Sequence, residues 1–97
     1  MPSGGTGTCH VKLHAEYGLL YVANYAGGSF TAIQINKETG GFMDRAYNEF
    51  YGMGSNVKPD RQEMAHAHEV MTYGEFVYVV DLGSDKIWHY KVCTDFF

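Results

Sequence analysis

A chain that writes one segment twice builds one structural unit twice. Leu20-Tyr21-Val22-Ala23-Asn24-Tyr25, followed by Gly27-Gly28 and Phe30-Thr31-Ala32-Ile33-Gln34-Ile35, is the first copy. Val77-Tyr78-Val79-Val80-Asp81-Leu82, followed by Gly83-Ser84 and Ile87-Trp88-His89-Tyr90-Lys91-Val92, is the second. The copies align without a gap at an offset of 57, which puts Tyr21 on Tyr78, Asn24 on Asp81 and Ile35 on Val92. A histidine precedes each copy at nearly the same distance, His10 and His68. Each copy is a buried-looking apolar run, a glycine turn and an alternating run, so each reads as strand, turn, strand. Units of this kind cannot bury their apolar face alone and stack on one another.

The rest of the chain extends the pattern. Cys9 to Leu13 alternates and predicts a short strand, with His14 to Gly18 as the turn that follows. Phe42 to Tyr51 fits either an outer strand or an irregular segment. Residues 52–65 form a polar loop long enough to be functional or mobile in a compact domain. His66 to Met71 restarts the strand pattern, and Thr94-Asp95-Phe96-Phe97 ends on two exposed aromatics. No stretch shows the period of an amphipathic helix. Short strands at regular spacing predict an all-β fold of antiparallel sheets, blade one over about 9–50 and blade two over about 66–97.

Composition excludes several classes. With 45% hydrophobic and 19% charged residues the chain has a core to bury. A net charge of -4 with scattered Lys and Arg gives no footprint for nucleic acid or an anionic membrane. The first ten residues have neither the basic nor the apolar region of a signal peptide. Cys9 and Cys93 form no CxxC and no zinc spacing. A reduced, cytoplasmic chain is the simplest expectation, and a Cys9–Cys93 disulfide is the alternative.

The densest polar cluster is Arg61-Gln62-Glu63-Met64-Ala65-His66-Ala67-His68-Glu69. On a strand, His66 and His68 share a face because side chains alternate with period two. A histidine moves protons near neutral pH, and an arginine offers a planar fork to a carboxylate, a phosphate or an oxyanion. Together they suit general-base hydrolysis of an anionic ester or lactone. The plainer reading is that one histidine bonds the backbone at a strand start and Arg61 is solvated. A third reading is a metal held by His66 and His68 with Glu63 or Glu69. Gly4-Gly5-Thr6-Gly7 and Gly27-Gly28 lead into no Lys-Ser/Thr pair or helix, so neither is a phosphate loop. Asn24 and Asp81 end matching strands and are expected to cap the hairpin turns through backbone N–H groups. Tyr21, Tyr25, Tyr78, Trp88 and Tyr90 read as inter-blade packing, with Tyr25 also in reach of a pocket.

"CHV", "LYVANYAGGS", "RQEMAHAH" and "FVYVVDLGSDKIWHYKV" resemble the seven-bladed β-propeller lactonases of the 6-phosphogluconolactonase type, from about Gly4 to Val92. The resemblance implies a partial propeller with its substrate at the central channel. It implies hydrolysis of 6-phosphogluconolactone or a similar sugar lactone without a cofactor. Carried over by motif, His66, His68 and Arg61 are the catalytic candidates and Gln62, with Tyr25, the substrate-binding ones. Three departures stand out. Thr8 replaces a family proline, Met64-Ala65 replaces a residue-plus-proline pair and loosens the backbone before the histidines, and Glu69 replaces a small polar residue. Two blades of seven supply one side of a channel, so little or no activity is expected of the chain alone. The alternative is a non-catalytic module that self-associates through exposed blade faces.

Overall fold

The computed structural model describes residues 1–58 and 60–92, residues 44 and 45 by backbone only. Cys93 and the Thr94–Phe97 terminus lie outside the described residues, and with them the disulfide question. Among the described residues the chain forms two antiparallel sheets. The first holds β1 (Thr8–His14), β2 (Leu19–Asn24), β3 (Ser29–Ile35) and β4 (Phe42–Phe50), in that order. The second holds β5 (Ala67–Tyr73), β6 (Phe76–Asp81) and β7 (Lys86–Lys91). The segment left open as strand or irregular is thus a strand, pairing Ile33 with Ala46 and Ser29 with Phe50. The sole helical element described is a 3-10 turn, Ala15–Tyr17, closed by Gly18 at φ 63. A residue with a Cβ is disfavoured there.

β2 and β3 superimpose on β6 and β7 at the offset of 57. The first strands do not. Thr8 pairs with Asn24 and Ala67 with Asp81, an offset of 59. Each of these strands then shifts register within two residues, so Cys9 and His68 occupy equivalent β-bulges. The structural counterpart of His68 is therefore Cys9, and that of His10 is Glu69. The cause is the link to the next strand: His14 to Leu19 takes four intervening residues and Tyr73 to Phe76 takes two.

The two sheets face each other across one core. Leu19, Tyr21, Ala23, Phe30 and Ala32 of the first meet Ala67, Val70, Val77 and Val79 of the second. The seam is a wedge. β5 lies against β1 and β2 at the inner edge, where Ala23 and Ala67 are fully buried. Farther out the gap is filled by rings: Phe30 stacks on Tyr90 at 5.1 Å and Tyr51 on Trp88 at 4.6 Å. Small residues inside and aromatic ones outside hold the sheets at an angle, as neighbouring blades require. Burial pushes the Tyr21 and Tyr51 phenols up from their ordinary range, as a dry seam should.

Polar hooks fix the inner edge. The Val70 N–H donates to His10 Nδ1 at 3.1 Å. His14 belongs to β1 rather than to the turn, and is buried. Its Nε2 faces the Gly74 carbonyl at 2.8 Å, so Nε2 carries the proton and Nδ1 accepts from the Tyr21 hydroxyl at 2.7 Å. The Cys9 thiol donates to the His68 carbonyl at 3.1 Å.

Candidate functional site

The segment that carries the polar cluster is pinned by backbone bonds on both flanks. Ala65 N–H donates to Gly52 O at 3.0 Å, Asn56 N–H to Gln62 O at 2.9 Å and Leu82 N–H to His66 O at 3.0 Å. Met53 and Met64 form an isolated antiparallel bridge. The loop of 52–65 is long but tied at both ends. Three glycines cradle it. A Cβ at Gly28, Gly54 or Gly83 would fall well inside van der Waals contact of Ala65 O, Gln62 O or Met64 O respectively. Gly28 also sits at φ 65. These glycines serve close approach of backbone to backbone. Gly4 and Gly5 on the first sheet instead lie against side chains, those of Asn48 and Thr31 and of Ser29 and Asn24.

Asn24 and Asp81 occupy equivalent positions with different partners, and the partners explain the residue. Around Asp81 every neighbour donates: His66 N–H at 2.8 Å and Ser84 N–H at 3.0 Å to Oδ1, Trp88 Nε1–H at 3.0 Å to Oδ2. Burial pushes its carboxyl up, but the bonds from Ser84, Trp88 and His66 outweigh it and leave it below the usual carboxylate range. Asn24 instead accepts from Thr8 Oγ1 at 3.0 Å and donates to Ser29 and Thr31. Asp81 does bond the turn backbone as expected. Asn24 does not, because side-chain hydroxyls take both ends of its amide.

The site residues gather on Tyr25. The His66 ring stacks on it, centroids 4.4 Å apart and planes 15° apart, and the His68 ring stands edge-on at 5.8 Å. The nearby Tyr25 side chain holds the Arg61 guanidinium above its ordinary value. The histidines do not share a strand face. His66 precedes β5 and His68 sits in the bulge, so the period-two rule fails between them. His66 is buried, with Nδ1 2.6 Å from Tyr25 O and Nε2 2.6 Å from Glu63 Oε1. Both ring nitrogens face acceptors, so both are engaged within the chain. Glu63 is held below the usual carboxylate range by its own backbone amide and then by His66. His68 is exposed and makes no hydrogen bond through its ring among the described residues.

Gln62 is buried with its amide committed at both ends: Oε1 accepts from Lys58 N–H at 2.8 Å and Nε2 donates to Leu82 O at 2.9 Å. It braces the loop. Glu63, weighed from sequence only as a metal ligand, is the partner of His66; its i,i+3 spacing to that histidine was the available signal. No group of three His, Cys, Asp or Glu side chains gathers into a metal cage among the described residues. An open concavity of about 740 Å³ is lined by His68, Val80, Leu82, Asp85 and Ile87 among others. Its lining also includes Asp81, whose carboxylate accepts the His66 N–H.

Comparison with known proteins gives this geometry a context. The family described as "Lactonase, 7-bladed beta-propeller" matches residues 1–95. A probable 6-phosphogluconolactonase of Arthroderma benhamiae is 32% identical over 91 residues, covering 92% of this chain and 23% of that protein. An uncharacterized Staphylococcus aureus protein is 33% identical over 89 residues, covering 90% and 25%. A Bacteroides fragilis crystal structure, provisionally described as a 6-phosphogluconolactonase, superimposes with a TM-score of 0.77 at 28% identity, over 96% of this chain and 26% of that one. The chain thus spans about a quarter of the length of these relatives. Two adjoining antiparallel blades, matched from end to end, place the chain in the seven-bladed β-propeller lactonase family.

Proposed function

We propose that the chain carries one wall of a sugar-lactone hydrolase site, with 6-phosphogluconolactone or a close relative as substrate. The observation that supports this best is the convergence of His66 and His68 on the single ring of Tyr25, whose side chain also acts on Arg61. His68 is the base in this reading, because its ring is exposed and unbonded while both nitrogens of His66 are engaged. His68 takes a proton from water as the oxygen attacks the lactone carbonyl. Arg61 faces the developing oxyanion or the phosphate, as a fixed cation can. The ring C–O bond then breaks, the departing alkoxide recovers the proton from His68, and the product is the open hydroxy acid. His66, clamped between Tyr25 O and Glu63, holds Tyr25 in place.

The test is binding of 6-phosphogluconate to the 97-residue chain, followed by NMR. Expected are shifts confined to Arg61, Tyr25, His66 and His68, and loss of binding in Arg61→Ala. Shifts elsewhere, or binding indifferent to Arg61→Ala, would overturn the reading. One wall of a channel is expected to hydrolyse little, and whatever rate exceeds the spontaneous one should fall about 10²–10⁴-fold in His68→Ala.

A further inference from the structure

The outer rim of the seam gathers oxidisable rings for which the lactonase reading has no use. Tyr47 and Glu49 share one face of β4, and Tyr51 follows two residues on. Trp88 and Tyr90 meet them from β7. The Tyr90 hydroxyl lies 2.6 Å from that of Tyr51, so the two sheets touch phenol to phenol. On either side of this pair stands a ring already bonded to a carboxylate. Trp88 stacks on Tyr51 at 4.6 Å and donates its Nε1–H to Asp81 Oδ2. Tyr47 stands edge-on to Tyr90 at 6.5 Å and donates its hydroxyl to Glu49 Oε2. All four rings are half-buried, and all belong to the two sheets of the seam.

The phenols hold their protons firmly. The bond to Glu49, and then burial, pushes Tyr47 up to about 12. Burial pushes Tyr90 up to about 12 and raises Tyr51 as well. At neutral pH such a phenol gives up an electron readily only when its proton leaves too. A base is at hand: the charge of Glu49 acts on Tyr47, Tyr51 and Tyr90 alike.

We infer that Tyr51 and Tyr90 form an oxidative cross-linking site, coupled to a dityrosine by a peroxide-driven one-electron oxidant. Each phenol loses one electron to the oxidant and one proton by way of Glu49. The two phenoxyl rings join through carbons ortho to their oxygens. One C–C bond forms, the C–H bonds at the joined carbons break, and protons return to the two oxygens. The chain ends two hydrogens lighter, and one hydrogen peroxide takes up both electrons and both protons as two waters. Trp88 and Tyr47 are the entry points, each passing its oxidation to the phenol beside it. The product staples the two sheets covalently and, like a disulfide, restrains the unfolded chain.

Access and contact call for different products. Tyr73 is 77% exposed, so access alone would couple Tyr73 between molecules. Contact couples Tyr51 to Tyr90 within one. The inference is independent of the lactonase reading.

The test is treatment of the dilute 97-residue chain with hydrogen peroxide and a haem peroxidase at neutral pH. Expected is a monomer with dityrosine fluorescence. Mass spectrometry of its proteolytic peptides should find one pair joining Tyr51 to Tyr90, two hydrogens lighter than its parts. Tyr51→Phe should lose that pair and Tyr73→Phe should keep it. Glu49→Gln, which takes up no proton, should form it more slowly. The cross-linked chain should unfold at higher urea than the untreated one. Products confined to Tyr73, products only between molecules, or Tyr51–Tyr90 coupling equally fast in Glu49→Gln would each overturn the proposal. The wild-type peptide map decides between the two products even where a variant fails to fold.

Discussion

At the scale of single residues, the repeat is informative where its copies differ. Asn24 and Asp81 hold the same corner of the same fold, yet one needs a donor and the other must not have one. Asp81→Asn would aim an N–H2 at the Trp88 indole or at the His66 amide, leaving a buried donor unsatisfied. That should cost about 1–3 kcal/mol of stability at neutral pH. The pH dependence follows from the sign of the shift. The folded-state carboxyl lies below its unfolded value, so its contribution is complete above about pH 4 and is lost as pH falls through the lower folded value. Urea unfolding from pH 7 down to pH 2 should therefore show a steeper acid loss in the wild type than in Asp81→Asn. Parallel curves would mean that Asp81 does not bear its charge in the folded protein.

At the scale of elements, the hairpins β2–β3 and β6–β7 were legible because their signals are local: apolar run, glycine turn, alternating run. The link between β1 and β2 was not. Whether four or two residues close it is settled only when strands pair, so a sequence alignment by histidines set His10 against His68 while pairing sets Cys9 there. The bulge at His68 is invisible for the same reason, and with it went the expectation that His66 and His68 share a face. Arg61, His66 and His68 could be read as a local cluster, but Tyr25, which gathers them, is brought in by the seam from the other sheet. The glycine cradle of the 62–66 segment is the element-level counterpart. Gly83→Ala would drive a methyl into Met64 O and should destabilise by about 1–3 kcal/mol. It should also displace His66 from Tyr25, visible as loss of the ring-current shift on the imidazole. Gly40→Asn is the control: nothing lies within 4 Å, and Asn tolerates its φ of 76, so a change of about 0.5 kcal/mol or less is expected.

At the scale of the whole molecule, the seam holds the main buried cluster, which draws on both sheets, while Val22 and Ile33 are buried on the other face of the first sheet. Each sheet needs the other for burial, so the two should unfold together rather than in turn. The single tryptophan reports on this from the right place: Trp88 belongs to β7 but stacks on Tyr51, beyond the end of β4, and bonds Asp81. Its fluorescence follows separation of the sheets, while far-ultraviolet circular dichroism follows loss of strands. In a denaturant titration the two curves should superimpose. Phe30→Ala deletes a ring that packs on both Tyr21 and Tyr90, and such truncations cost about 3–5 kcal/mol. For a chain whose total stability should be of order 5–15 kcal/mol, that is enough to move both curves far toward lower denaturant, still in register. Tryptophan fluorescence that changes while circular dichroism holds would mean instead that the blades part as intact sheets, and that the wedge of rings clamps two units able to stand alone.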